Sequence, residues 1–214
     1  GSHAHDVVLL KEWIDLRNLM LSRNCIIAPS RFVKTVQQIA AIKDKDLFTG
    51  YAQNDLPEFL LFILDCFHNA LSHSVKINVN GDPKTDMDKL AIGCYTMIRD
   101  MYAKDYSHII KLFSGISVTI IKCPASEEIL STRPEPFLTI DLPVLQTSGI
   151  QTLDDCFNAF CNKERMDGEN MWFNENTNSK QVVDQQVLFW KLPDVMIITF
   201  KRFTNAARKI SCLV

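Results

Sequence analysis

The sequence lacks the features that mark nucleic-acid-binding and membrane-spanning proteins. Its 23 basic and 25 acidic side chains give a formal net charge of -2 and a pI near 6.2, and the basic residues form no run. This balance gives no electrostatic reason to expect nucleic acid or an anionic membrane as a partner. No apolar stretch approaches the roughly 20 residues that span a bilayer, and no secretory leader pattern opens the sequence.

The chain also lacks any Cys-x-x-Cys pair, although it has seven cysteines. Their number is odd and their spacing irregular, which favours reduced thiols of an intracellular protein, cytoplasmic or nuclear, over a disulfide framework. We expect neither a metal nor a cofactor, because isolated thiols cannot fill a tetrahedral zinc site. The cysteines are Cys25, Cys66, Cys94, Cys123, Cys156, Cys161 and Cys212.

What the chain does have is apolar material for one sizeable core, with 47% hydrophobic residues in 214. Residues 1–3 look like an expression scar, and we expect residues 4–214 to form a single partial domain. Helical periodicity predicts helices over 7–21, 31–42, 56–73 and 87–103, the second capped by Ser30. Strands are predicted over 116–121, 136–142, 187–190 and 195–200, with 174–186 as an exposed polar excursion. Helices followed by strands indicate an α+β fold.

The helix predicted to begin after Asp55 is the most informative segment. Asp55 can cap the first free N–H groups, Glu58 can reach back to the cap, and Pro57 lies where a missing N–H is tolerated. Polar side chains are thus held at a rigid helix start, a good placement for a binding edge. We expect this helix to bury one stripe, which comprises Leu56, Phe59, Leu60, Ile63, Leu64 and Phe67. A second capping box at Thr152-Leu-Asp-Asp predicts a short helix.

Four segments, in order, resemble the ubiquitin-specific proteases, the papain-like thiol hydrolases that remove ubiquitin. Residues 51–60 (Tyr-Ala-Gln-Asn-Asp-Leu-Pro-Glu-Phe-Leu) are similar to the family's Gln-Gln-Asp-Ala-x-Glu-Phe box. Residues 112–115 (Leu-Phe-Ser-Gly) are similar to its Phe-x-Gly box. Residues 135–142 with 152–155, and 190–203 ending in Lys-Arg-Phe, are similar to the strands and helix that follow. The divergent, Asn-rich form is typical of a lower eukaryote or a large DNA virus.

The resemblance implies a papain-like fold with partial thumb helices over 4–110 and palm and fingers strands over 111–214. It implies a ubiquitinyl hydrolase that cleaves the bond after the C-terminal glycine of ubiquitin, with a cysteine nucleophile, a histidine base and an Asp or Asn that orients the histidine. Neither the family's Asn-x-Gly-Asn-Thr-Cys box nor its Gly-His-Tyr box is found in residues 1–214. We therefore expect this chain to be inactive alone, and its catalytic residues are unknown.

Cys25, which follows Asn24, is the one candidate nucleophile, but its surroundings fit a later family segment, and we expect a structural thiol. We expect His68, His73 and His108 to be surface or satisfied histidines. Two other interpretations stay open. One is a catalytically inactive ubiquitin-binding or scaffold domain, and the other is an unrelated α+β interaction module.

By resemblance, Gln53, Asp55 and Glu58 lie beside the channel for the basic, extended ubiquitin tail. Carboxylates can bind its arginines in bidentate fashion and accept its backbone N–H groups. Capping alone is the alternative role for Asp55 and Glu58. Lys201, Arg202 and Phe203 match a strand near the channel, with strand-end packing as the alternative.

Many members of the family hold zinc between two Cys-x-x-Cys pairs at the tip of the fingers. Here Cys123-Pro-Ala-Ser occupies the first pair and Asn174-Glu-Asn-Thr the second, so one thiol of four remains. The resemblance thus predicts fingers without zinc. We also expect exposed apolar patches, or a partner chain or oligomer that covers them.

Overall fold

A computed structural model describes residues 3–22, 26–145 and 150–202, so Cys25, Phe203 and Cys212 lie outside the described residues. The helices come first and most strands follow, which confirms the predicted α+β order. The α helices are α1 (Ala4–Ser22), α2 (Ser30–Ile42), α3 (Leu56–Leu71), α4 (Asp86–Asp105), α5 (His108–Phe113) and α6 (Leu153–Phe160). The strands are β1 (Gly115–Lys122), β2 (Ile129–Phe137), β3 (Thr139–Pro143), β4 (Glu164–Met166), β5 (Trp172–Asn174), β6 (Ser179–Gln181), β7 (Val183–Lys191) and β8 (Ile197–Lys201).

The chain divides into two compact units. The helical unit contains the described residues of 1–77 and 99–111, and the sheet unit contains those of 78–98 and 112–202. Helix α4 contributes its first part to the sheet unit and its last part to the helical unit. Within the described residues, no helix combines the length and the apolarity needed to cross a membrane.

The helical unit is built on the packing of α1 against α2 and α3. The apolar residues of α2 and α3 recur at helical spacing, and each helix buries a stripe of them. Leu56 was wrongly predicted to be in the stripe of α3: it is the first residue of the helix and is 72% exposed. The buried cluster comprises Leu9, Val36, Ile39, Ala40, Phe48, Phe62, Ile63, Cys66 and Phe67. One ion pair lies within this core, where Lys43 Nζ is 2.8 Å from Oδ1 of the buried Asp6.

The start of α2 differs from the prediction. Ser30 is the first helical residue and not the cap, a position taken by Pro29, which makes no side-chain capping bond. The Val33 N–H donates to the Pro29 carbonyl at 2.9 Å, so backbone alone starts this helix. The prediction that Ser30 caps α2 was wrong. It was made from residue type alone, and a shift of one residue moves the serine hydroxyl away from the free N–H groups.

Helix α1 leaves much of its apolar surface exposed. Its large exposed residues are Val8, Trp13, Ile14, Leu19, Met20 and Leu21, of which Leu21 is 72% exposed. Since Leu9 and Asp6 of the same helix are buried, α1 is covered along one face only. These residues are distributed around the helix and not along one stripe, so α1 exposes more apolar surface than the scattered single residues of an ordinary surface.

The sheet unit contains a four-stranded antiparallel sheet in the order β2-β1-β7-β4, a parallel pair of β3 with β8, and a β5–β6 hairpin. Edge strand β2 carries Pro134 and Pro136 opposite Val118 and Ile116 of β1. Gly115 opens β1 at a close approach, because a Cβ there would lie 2.2 Å from Cζ of the Phe137 ring. The glycine of the Leu-Phe-Ser-Gly segment is therefore required by packing.

Two apolar clusters stabilise the sheet unit. One joins Cys94 of α4 to Ile116 and Val118 of β1. The other joins Ile140 and Leu142 of β3 to Cys156 of α6. Its partly buried aromatic residues include Phe137, Phe157, Phe160 and Phe189, and the Phe160 and Phe189 rings are stacked with centroids 5.5 Å apart.

The polar segment 174–186 was only partly predicted. Its first residues form the turn of the β5–β6 hairpin, but its last residues begin β7, where Val183 and Asp184 are buried. The exposed excursion predicted over the whole segment is therefore wrong at the buried Asn174 and from residue 183 onward. Pairing with β1 and β4 buries these residues, and such non-local pairing cannot be read from local polarity.

Candidate functional site

Asp55 starts α3 as predicted. Its Oδ1 accepts a hydrogen bond from the Glu58 N–H at 3.3 Å, its backbone is extended, and Pro57 lies in the first turn. Within the described residues, the Glu58 carboxylate makes no return bond to the Asp55 N–H. The reciprocal box is complete at α6 instead, where Asp155 Oδ2 accepts from the Thr152 N–H at 2.9 Å. Hydrogen bonds from the Thr152 N–H and hydroxyl lower the pKa of Asp155.

The three residues assigned to the ubiquitin tail lie together on an exposed surface. Gln53, Asp55 and Glu58 are all exposed, within six positions of one another at the start of α3. The loop before them is shaped by local hydrogen bonds: Asn54 Nδ2 donates to the Ala52 carbonyl at 3.0 Å, and Gln37 Nε2 donates to the Gly50 carbonyl at 3.2 Å. The side chains of Gln53, Asp55 and Glu58 can therefore contact a ligand while the loop keeps its conformation.

A mainly apolar groove of about 290 Å³ opens beside this helix start. Its walls come from α2, the 3-10 turn Asp46–Phe48 and the first turn of α3. The lining residues are Phe32, Val33, Val36, Gln37, Phe48, Gly50, Ala52, Asn54, Asp55, Leu56 and Phe59. An apolar groove with an amide and a carboxylate on its rim suits an extended peptide that carries apolar and basic side chains.

Sequence reasoning missed Phe48 as part of this groove. The segment over residues 43–50 is polar and predicts an exposed turn, yet Phe48 is 4% exposed and its ring packs against Phe59 and Phe62. The one available signal was a lone aromatic side chain within a polar segment, since a phenylalanine is seldom left in water.

Two histidines of the helical unit make ring contacts within the fold. His68 Nδ1 lies 2.8 Å from the hydroxyl of buried Ser107. His73 is exposed, and its ring lies edge-on to that of Tyr106. Cys25, the candidate nucleophile of the sequence, lies outside the described residues.

The described cysteines are free thiols, and burial makes Cys66 inert. Burial and a hydrogen bond with Asp6 raise the pKa of Cys66 to about 12, so little thiolate forms near neutral pH. Lys201 ends β8 in the sheet unit, and the Arg202 guanidinium lies 5.5 Å from the Phe200 ring centroid. This contact packs the side chain of Arg202 at the end of the strand, which is the alternative role considered for Lys201, Arg202 and Phe203. Phe203 itself lies outside the described residues.

The fold resembles that of solved deubiquitinating enzymes. The Ubp8 chain of a SAGA DUB module bound to monoubiquitin superposes with a TM-score of 0.56 and 21% sequence identity, over 85% of this chain and 34% of that chain. This likeness confirms the papain-like, ubiquitin-specific protease type of fold that the sequence resemblance implied.

The sequence model of the family "Ubiquitin carboxyl-terminal hydrolase" matches residues 2–214, so the chain belongs to this family. It is 25% identical to ubiquitin carboxyl-terminal hydrolase 4 of Eremothecium gossypii over 94% of this chain and 23% of that protein. It is 24% identical to probable ubiquitin carboxyl-terminal hydrolase R319 of Acanthamoeba polyphaga mimivirus over 89% of this chain and 48% of that protein. The chain thus spans less than half the length of these relatives.

Proposed function

We propose that this chain is the ubiquitin-tail-recognising portion of a deubiquitinase of the thiol-protease type. The complete protein would hydrolyse the bond that joins the C-terminal glycine of ubiquitin to another protein. Family membership supports the reaction class, and the exposed helix start of α3 supports the recognition role.

The observation that carries the proposal is the placement of Asp55. One of its oxygens caps α3, and a carboxylate has capacity for further hydrogen bonds. Because the cap fixes the side chain, a ligand that binds Asp55 need not immobilise it. Glu58 stands one helical turn further along and adds a second negative charge, and Gln53 adds an amide. A basic, extended peptide is the complementary ligand.

The test is a titration of the full chain with ubiquitin, comparing variants that separate capping from contact. Asp55→Asn keeps a capping oxygen and removes the charge, so we expect an unchanged melting temperature and about tenfold weaker binding. Asp55→Ala removes both the cap and the charge, so it should lower both the melting temperature and the affinity for ubiquitin. Ubiquitin without its C-terminal tail is the ligand control, and Thr152→Ala, which disrupts the cap of α6, is the matched protein control.

Asp55→Asn with the affinity of the unmodified chain would show that Asp55 only caps its helix. Absence of any ubiquitin binding to the unmodified, folded chain would overturn the recognition role as a whole.

A catalytically inactive ubiquitin-binding or scaffold domain is the second candidate, favoured by the contact that engages the His68 ring with buried Ser107. Intact-mass analysis of the complete protein, after incubation with ubiquitin that bears a C-terminal thiol-reactive group, separates the two. An adduct supports the deubiquitinase, and an adduct on Cys25 or another thiol of residues 1–214 would place the nucleophile in this chain. Binding without an adduct supports the inactive domain.

We further propose an intracellular location, supported by the free thiols, and a partner chain or second copy on the exposed face of α1. Size-exclusion chromatography with light scattering tests the latter. We expect an oligomer, or a monomer that binds an apolar dye; a monomer without dye binding would contradict it.

A further inference from the structure

The residues that stand where the family has its two Cys-x-x-Cys pairs do not fit a zinc ion. No group of three or more His, Cys, Asp or Glu side chains among the described residues could hold a metal ion. The positions of the missing ligands are satisfied locally. Asn174 Oδ1 accepts from the Asn176 N–H at 2.9 Å, and the Thr177 hydroxyl lies 2.9 Å from that of Ser179.

Cys123, the remaining thiol, is also engaged within its own turn. The Ser126 hydroxyl and the N–H groups of Ser126 and Ala125 lower the pKa of the Cys123 thiol. The turn is closed by backbone bonds from the Cys123 N–H to the Glu128 carbonyl and from the Glu127 N–H to the Cys123 carbonyl, each of 2.9 Å. The turn is thus built without a metal, and Glu127 projects from it.

Glu127 is the first member of a chain of ion pairs that crosses the sheet unit. Lys163, from the segment between α6 and β4, binds both oxygens of Glu127 at 2.9 and 3.1 Å. The same ammonium lies 4.0 Å from Oδ2 of Asp184 on β7. Arg165 on β4 donates from Nε to Oδ1 of Asp184 at 2.5 Å and faces it in the β4–β7 ladder. Lys122 adds a longer contact of 3.8 Å with Glu127.

This chain of ion pairs matters for stability because Asp184 is buried. Asp184 is 5% exposed, so its charge must be balanced within the fold. Arg165 and Lys163 lie within ion-pair distance of it, and Lys122 is its partner in the β1–β7 ladder. Lys163 has a second function, because it is the contact between Asp184 and the β1–β2 turn. Three segments that are distant in sequence therefore meet at one ammonium group.

We infer that the ion-pair chain Glu127–Lys163–Asp184–Arg165, and not a metal ion, holds the β1–β2 turn to β4 and β7. Lys163 is the central link of this chain. A cross-link of this kind is weakened by salt and is indifferent to chelators, whereas a thiolate–zinc site behaves in the opposite way.

Hydrogen exchange of the full chain, read by mass spectrometry, tests the inference. Lys163→Met should accelerate exchange about threefold to tenfold in peptides that cover 123–128, 164–166 and 183–185. The parallel β3–β8 pair serves as an internal reference. The matched control is Arg133→Met, which breaks an exposed pair with Glu135 (3.1 Å) on β2 of the same sheet and should leave those peptides unchanged. Lys163→Arg should retain most of the protection.

The unmodified chain supplies a second readout that does not depend on a variant. Raising sodium chloride from low concentration to about 1 M should accelerate exchange in the same three segments relative to β3–β8. Adding a chelator should change nothing. Acceleration by the chelator, co-purified zinc, insensitivity to salt, or equal behaviour of Lys163→Met and Arg133→Met would each overturn the inference.

Discussion

The helical unit and the sheet unit bury charge in different ways. In the helical unit, the buried Asp6 has one lysine beside it, Lys43, which also pairs with an exposed carboxylate. In the sheet unit, the buried Asp184 has two cations beside it, Arg165 and Lys163. Removing Lys43 takes away the lysine that balances Asp6, whereas removing Lys163 leaves Arg165 beside Asp184. Similar buried carboxylates should therefore respond differently to substitution.

The largest expected effect is Lys43→Met in the helical unit. It removes the closest cation from Asp6, whose side chain is 3% exposed, and the lost pair should lower the free energy of unfolding by about 3 to 5 kcal/mol. Chemical denaturation followed by circular dichroism measures this change.

Asp6→Asn combined with Lys43→Met is the control, because it removes the uncompensated charge and should recover part of the loss. A Lys43→Met variant as stable as the unmodified chain would contradict the expected difference between the buried carboxylates of the two units.

A second large effect is expected in the sheet unit for Gly115→Ala. The added methyl would meet the Phe137 ring at 2.2 Å and the Lys191 carbonyl oxygen at 2.8 Å. Since the carbonyl belongs to the paired strand β7 and cannot rotate away, we expect a loss of about 1 to 3 kcal/mol.

Gly93→Ala is the matched control for this substitution, because no atom lies within 4 Å of its added methyl. In the middle of α4, alanine should stabilise by about 0.5 to 1 kcal/mol. Similar losses for both variants, in the same denaturation assay, would show that the contact at Gly115 is not the cause.

The capped helices offer a smaller comparison, one in each unit. Asp55→Ala and Thr152→Ala each remove a capping oxygen, and each should cost about 1 kcal/mol. Asp155 sharpens the comparison, because its pKa is lowered from 3.8 in the folded chain. Its contribution is therefore fully present above about pH 3.8 and lost as the pH falls through the lower folded value.

Thermal melts over this acidic range should show that Thr152→Ala destabilises less at the lowest pH than near neutrality. An equal difference at every pH would contradict the carboxylate's part in the α6 cap.

The smallest effect concerns reactivity and not stability. Cys123 should be alkylated first among the described thiols, since its pKa is lowered from 9.0, and Cys66 last, since its pKa is raised to about 12. Peptide mapping after a short exposure to iodoacetamide at neutral pH gives the order. Ser126→Ala should slow labelling of Cys123, and faster labelling of Cys66 than of Cys123 would reverse the expected order.

What could be predicted from the sequence is what depends on neighbours along the chain. The Asp55 cap, the Thr152 capping box and the β-branched run over 116–121 were predicted because their partners lie within a few residues. The parallel pairing of β3 with β8 was not predicted, because it joins residues about 58 positions apart. The first residues of β7 were missed for the same reason.

The position of the candidate site along the chain could be predicted from the sequence, but the groove beside it could not. Resemblance pointed to Gln53, Asp55 and Glu58, and the structure shows all three exposed at one helix start. The groove beside them depends on Phe48 and on the α2 residue Val36, which only the packing of three elements brings to one place. Whether these residues bind the ubiquitin tail stays a prediction.

The two prolines of β2 determine how the four-stranded sheet ends. A proline has no N–H to donate, so Pro134 and Pro136 are tolerated where their nitrogens face away from the ladder with β1. The outer border of the sheet therefore offers acceptors without matching donors at two alternate positions. An extended segment of another molecule would find no continuous template there, so this border resists the strand-by-strand growth that leads to aggregation.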